Sequence, residues 1–161
     1  MKILALDMSS KSTGAAIFED RKLIKYECIV ASDIDSLVRI RKMENRIAEI
    51  FVEEKIDKVI IEDVIPEDVR HNQTVFNVLH YLQAAVVLRL HDINPKVKCE
   101  FYVSSEWRKK CGIGTGRGIK REELKAKDIA FVKEKYNIDV NDDIADAICI
   151  GYAYTNNMSV F

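Results

Sequence analysis

The chain is poor in the residues that stiffen or cross-link small secreted folds. Only two of its 161 residues are proline, and its four cysteines, Cys28, Cys99, Cys111 and Cys149, lie far apart. They make no CxxC pair and no zinc spacing with His71, His80 or His91, which excludes a disulfide framework and a zinc finger. Reduced, buried thiols in a cytoplasmic protein are expected instead. Long hydrophobic runs are also missing. No apolar stretch approaches the ~20 residues that cross a bilayer, and MKILALDMSS lacks the apolar region and cleavage site of a signal peptide. A surplus of one charge is absent too. The formal net charge is -1, so any polyanion site must come from local clustering and not from a uniformly basic surface.

What is present is enough apolar material for a core. Hydrophobic residues make up 48% of the chain and charged residues 32%, so one domain over residues 1–161 is expected. Residues 2–8 (KILALDM), 12–19 (STGAAIFE) and 22–30 (KLIKYECIV) read as strands. Asp20-Arg21 is the turn between the last two, which makes an antiparallel meander. Residues 34–55 carry a helical period at Leu37, Ile40, Ile47, Ile50 and Phe51, with Ser32-Asp33 as the cap. KVIIED, 58–63, reads as a buried parallel strand. A second helix spans 70–91, with Val75, Val78, Leu79, Leu82, Val86 and Leu90 on one stripe. A strand follows at 97–103, then the Gly-rich GIGTGRG at 112–118, then helices at 120–136 and from about Asp142 to Tyr154. The order βββ-α-β-α-β-α-α predicts an α/β fold: a mixed five-stranded sheet, meander first and parallel strands after, with helices on both faces.

The acids stand at chemically suggestive places. Asp7 ends the first strand and Glu62 the fourth. Asp143 and Asp146, three apart at the start of the last helix, share one helical face. If the first and fourth strands are neighbours, all four converge. Carboxylates about 4 Å apart repel by ~1–4 kcal/mol and raise one another's pKa values. A hard divalent cation removes that penalty. Oxygen-only ligands suit Mg²⁺, with Mn²⁺ as substitute, and argue against zinc. Two such ions roughly 4 Å apart serve the hydrolysis of a phosphodiester. Taken singly, each acid has a plainer reading, such as a favourable charge near a helix N-terminus. Asp63 and Asp142 are adjacent acids, and Asp142 reads as an N-cap.

Basic residues cluster just upstream. Between Arg108 and Lys127 there are eight of them against two acids, Glu122 and Glu123, in a chain of net charge -1. Arg108, Lys109, Lys110, Arg117, Lys120 and Arg121 are candidate phosphate contacts, which would position DNA without reading its sequence. The glycines at 112, 114, 116 and 118 allow close backbone approach but make no P-loop, because no GK[ST] follows. No nucleotide cofactor is expected. Trp107 reads as packing and not as a base-stacking platform.

ILALDMSSKSTGAAIF resembles the first motif of the RuvC family of Holliday junction resolvases, in which an acid ends the first strand before a Ser/Gly-rich turn. VIIE at 59–62 is similar to the second motif, and DDIADAICIG at 142–151 to the third. The resemblance implies a ribonuclease-H-like fold and an endodeoxyribonuclease. It implies that Asp7, Glu62, Asp143 and Asp146 are catalytic and ligate metal. It further implies a homodimer that cuts four-way junctions and related branched DNA in symmetric pairs. By the same likeness Lys120 matches a catalytic lysine. SEWRKKCGIG before the basic helix is similar to phage-encoded members. DMSSKSTG also resembles the phosphate loop of sugar kinases and actin-like ATPases, but those enzymes need two large domains and 161 residues are too few. An RNA-precursor nuclease of the same fold and a non-catalytic junction binder remain as alternatives. The chain departs from the pattern after Glu62. Val64-Ile65-Pro66 stands where bacterial members often carry a wedging aromatic, so relaxed sequence preference is expected. The stripe on the 70–91 helix is the candidate dimer face, with ordinary core packing accounting for at least half of its residues.

Overall fold

The computed structural model describes residues 1–64, 73–116 and 118–157. β1 (Lys2–Met8), β2 (Ser12–Glu19) and β3 (Lys22–Val30) form the antiparallel meander. Its second turn holds Asp20 and Arg21 at φ 45° and 70°, the left-handed pair that a two-residue hairpin demands. α1 (Ser36–Glu53) crosses to β4 (Lys58–Glu62), and β5 (Lys98–Tyr102) follows α2 (Gln73–Ile93). The sheet runs β3-β2-β1-β4-β5, with β4 parallel to both β1 and β5. α3 (Ser104–Lys110), α4 (Arg121–Tyr136) and α5 (Asp142–Asn156) complete the chain. This is the mixed five-stranded sheet that the pattern predicts.

Strand alternation divides the core into two layers. Leu4, Leu6 and Met8 of β1, with Val59 and Ile61 of β4, pack under α1 and α2 through Met43, Ile47, Leu82 and Val86. Ile3, Ala5 and Ile60 face the other way, against Trp107 of α3, Val132 of α4 and Ala145 and Ile148 of α5. All four cysteines carry free thiols, two of them buried.

Three details differ from the pattern. α3 was not anticipated, because a seven-residue helix with one buried residue, Trp107, shows no apolar period. Asp35, not Ser32 or Asp33, caps α1 and accepts from the Leu37 amide at 2.7 Å. Asp33 is instead drawn into an ion pair with Lys42. Asn141, not Asp142, caps α5 and accepts from the Ile144 amide at 2.9 Å. Asp142 enters the first turn, where its carboxylate pairs with Lys125.

The candidate dimer stripe is also corrected. Val78, Leu82, Val86 and Leu90 belong to the core between α2, α1 and the sheet. The large apolar residues that stay exposed on α2 are Tyr81, Leu88 and Ile93. Ile65 and Pro66, in the stretch that replaces the wedging aromatic, lie outside the described residues.

Candidate functional site

One parallel strand register and one close helix approach build the site. Leu6 of β1 sits beside Ile61 of β4 in parallel register. The next residues, Asp7 and Glu62, therefore emerge side by side at the strands' C-terminal ends. Alternation gives both the facing of Ala5 and Ile60, toward α5. Asp63 has the opposite parity, which separates it from Glu62. Gln83 on α2 donates to the Glu62 carbonyl oxygen at 2.9 Å and fixes the strand end.

α5 delivers the remaining acids. Its first turn lies so close to β2 that a Cβ on Gly14 would stand 1.8 Å from the Asp143 carbonyl oxygen. Farther along, a Cβ on Gly151 would stand 2.3 Å from the Phe18 ring. These two glycines let α5 lie flat across the sheet. Carboxylate oxygens of Asp7, Glu62 and Asp146 consequently fall within 4.8 Å of one another. The geometry brings three of the four predicted acids into one cluster. Asp143 stands beside it. Its Oδ2 accepts from the Ser12 hydroxyl at 2.6 Å and lies 3.9 Å from the Cys28 thiol, and its charge still acts on Asp7.

The electrostatics show the strain of this gathering. Burial pushes the Asp7 carboxyl well above the usual range, and Glu62 and then Asp143 push it further, against a smaller opposing pull from Lys125. Asp146 is pushed up to about 9 by burial first, then by Asp7 and Asp128. At separations within 4.8 Å each ionised pair repels by roughly 1–3 kcal/mol. The Asp146 Oδ1 is buried with no hydrogen-bond partner. A buried acceptor of this kind is costly unless something fills its coordination. An oxygen-only donor set with an orphaned carboxylate oxygen fits a hard divalent cation and is unsuited to a soft one.

The basic residues divide. Lys109, Lys110, Lys120 and Arg121 are exposed, with the Lys110 ammonium 4.7 Å from the centre of the Tyr102 ring. Arg117 lies outside the described residues. Arg108 does not face solvent. Its side chain is only 11% exposed and pairs with the buried Asp128 at 2.8 Å, reaching Asp146 at 3.4 Å. The reason is local: its guanidinium lies 4.2 Å from the centre of the Trp107 ring, and that indole is fully buried. Lys125 and Lys127 are paired with Asp142 and Glu123. Sequence reasoning missed Asp128. The available signal was its place on the inward stripe of α4, one turn before Val132, where an ionisable residue is unexpected.

A family model described as crossover junction endodeoxyribonuclease RuvC matches residues 3–152. No curated protein matches the sequence. Among solved structures, Thermus thermophilus RuvC in complex with Holliday junction substrate superposes with a TM-score of 0.74 at 14% identity, over 95% of this chain and 91% of that one. A second Thermus thermophilus RuvC structure gives 0.72 at 15% identity, over 95% and 92%. The yeast mitochondrial Holliday junction resolvase gives 0.58 at 12% identity, over 95% and 77%. At these identities the superpositions establish the ribonuclease-H-like fold.

Proposed function

Because this chain belongs to the family of crossover junction endodeoxyribonucleases typified by RuvC, we propose that it is a divalent-cation-dependent, structure-selective resolvase that hydrolyses paired phosphodiesters in four-way and related branched DNA. The observation that carries this reading is the cluster of Asp7, Glu62 and Asp146, with oxygens within 4.8 Å of one another. Its position at the C-terminal edge of the central parallel strands suits it for reaching a substrate laid across the sheet end.

Asp7, Glu62 and Asp146 would hold the cation, and Asp143 would join them when its bond to Ser12 is released. Mg²⁺, or Mn²⁺ in its place, would serve as two ions per site, and when bound they supply activation of the attacking water and stabilisation of the leaving oxygen. The protein's own contribution is orientation. The rigid strand ends and the first turn of α5 aim the carboxylates. Lys109, Lys110, Arg117, Lys120 and Arg121 hold backbone phosphates by charge, and Lys120 at the N-cap of α4 stabilises charge on the scissile phosphate. We read the 161 residues as one nuclease domain that acts as a homodimer, because two-fold protein symmetry matches the pseudo-two-fold junction. The lack of an aromatic at Val64-Ile65-Pro66 supports relaxed sequence preference. Free thiols and the absence, among the described residues, of a helix long and apolar enough to cross a membrane are in keeping with a cytoplasmic enzyme.

The test is cleavage of synthetic four-way junctions with Mg²⁺, Mn²⁺ or EDTA, using junctions whose crossover sequence is permuted. Symmetric nicking that needs the cation and tolerates permutation is expected. Strict dependence on one tetranucleotide would refute the relaxed preference. Cutting in EDTA, or structured RNA cleaved in preference to junction DNA, would refute the larger reading.

A further inference from the structure

Among the described basic residues between Arg108 and Lys127, Arg108 is the one whose side chain bonds to an acid of the carboxylate cluster. Its Nε donates to Asp128 Oδ2 at 2.9 Å and lies 3.3 Å from Oδ1, and its Nη2 stands 2.8 Å from the same Oδ2. The remaining reach of Nη2 is to Asp146 Oδ2 at 3.4 Å. Asp128 has no exposed surface. One guanidinium thus ties α3, α4 and α5 together at the edge of the carboxylate cluster. Its charge also offsets the crowding of two neighbouring acids, since Asp128 acts on Asp146 by charge and by direct side-chain contact while Arg108 pulls the other way.

The consequence lies in which oxygen of Asp146 remains available. Oδ2 is engaged by the guanidinium, while Oδ1 is buried with no hydrogen-bond partner. A carboxylate held by one oxygen presents the other in a fixed direction. A planar fork of donors sets that direction better than a flexible ammonium does, because a fork fixes angles as well as distance.

We propose that the Arg108–Asp128 pair is a positioning device for Asp146, fixing it to offer a single oxygen, Oδ1, to the cation, and that Arg108 makes no DNA contact. The proposal rests on the cation-dependent reading above. It assigns Asp128, which no motif marks, a role in the site. It also divides the basic segment by function: exposed Lys109 and Lys110 meet phosphate, while their neighbour on α3 serves the acids.

The experiment uses the full chain and two variants that leave the local net charge unchanged. Arg108→Lys keeps the positive charge and loses the fork. The double variant Arg108→Met with Asp128→Leu removes one charge of each sign, and replacing a buried pair with apolar side chains of similar volume is often neutral for stability. Mn²⁺ binding is measured by calorimetry on the free protein, junction affinity is measured in EDTA, and kcat and KM are measured in Mn²⁺. Partners that orient a metal ligand characteristically contribute about 10–100-fold in affinity or activity. Both variants are therefore expected to bind Mn²⁺ about tenfold more weakly and to lose kcat with little change in KM. Their unfolding temperatures should stay close to that of the parent, and their junction affinity in EDTA should be unchanged. Mn²⁺ binding that is unchanged or tighter in folded variants overturns the proposal, because the pair would then be structural only. Weakened junction binding in EDTA also overturns it, because Arg108 would then touch DNA. Failure of the parent protein to bind Mn²⁺ would instead bring down the cation-dependent reading itself.

Discussion

At the scale of single residues the site is a set of acids held together against their mutual repulsion. Asp7→Asn removes a proposed cation ligand and one of the repelling charges together. We expect it to abolish cutting while leaving junction binding intact, as measured by gel mobility in EDTA alongside cleavage in Mg²⁺. Loss of binding in parallel with cutting would contradict that separation. The raised carboxyls also make a pH prediction. Asp146 titrates at 3.8 when unperturbed and is pushed up to about 9 in the fold. Between those values the cation-free native state holds a proton that the unfolded chain has lost. Its contribution to stability is therefore complete below about pH 4 and is lost as pH rises toward 9, and Asp7 acts in the same direction. A cation competes with that proton, so the stabilisation given by Mn²⁺ should grow from pH 5 to pH 8. Melting curves at matched ionic strength, with Mn²⁺ and with EDTA, check this; a pH-independent increment would contradict it. Asp128 is the opposite case, an acid whose partner must stay. Asp128→Ala strands the Arg108 guanidinium, whose side chain is 11% exposed, and should destabilise by about 3–5 kcal/mol in chemical denaturation. The three acids that cluster, Asp7, Glu62 and Asp146, were legible as candidates because they lie at strand ends or in the opening turns of a helix, where spacing and periodicity locate them; that Asp143 turns to Ser12 instead was not. Arg108 and Asp128 were not legible as a pair. They lie 20 positions apart on different helices, and nothing in a local pattern tells an inward arginine from an outward one.

At the scale of elements the decisive part is α5 and its seating. Asp143 and Asp146 reach the strand ends only because β2 and α5 approach more closely than any side chain at Gly14 permits. Gly14→Ala must move the first turn of α5, since the obstructing atom is a backbone carbonyl 1.8 Å from the added carbon. Gly151→Ala meets a side chain, the Phe18 ring at 2.3 Å, farther from the acids. Overpacking of this kind costs typically about 1–3 kcal/mol. The two variants should therefore be comparably destabilised, yet Gly14→Ala should lose far more activity per unit of stability lost. Cleavage assayed well below the melting temperature of each variant decides it, and equal residual activities would show that the seating at Gly14 has no special bearing on the acids. The strands and long helices were legible from periods of 2 and 3.6. The caps were not, because Ser32, Asp33 and Asp35 are all acceptable capping residues and only the tertiary partners of Asp33 select among them. The stripe on α2 was legible as apolar, with core and interface left open residue by residue, since a core face and an interface face carry the same residues.

At the scale of the whole molecule, the proposed function asks a chain of net charge -1 to bind a polyanion next to its own acidic cluster. That asks for the two charge sets to be kept apart, and a two-fold dimer would double the basic one. The structure keeps them apart. Lys109, Lys110, Lys120 and Arg121 are exposed, whereas Arg108, Lys125 and Lys127 are already paired with acids. Symmetry can be read from salt dependence. Each phosphate neutralised on B-form arms contributes roughly 0.9 to the slope of log affinity against log salt. If a single subunit binds, Lys109→Gln should lower that slope by about 0.9; if a two-fold dimer binds one junction, the same substitution removes two contacts and lowers it by about 1.8. We expect the larger change, together with sedimentation as a dimer at micromolar concentration. The smaller change with a monomer in the ultracentrifuge would mean that one subunit acts alone. Paired cutting would then need two separate encounters with the junction, and a junction with one scissile phosphate blocked would be cut as readily on the other strand as an intact one.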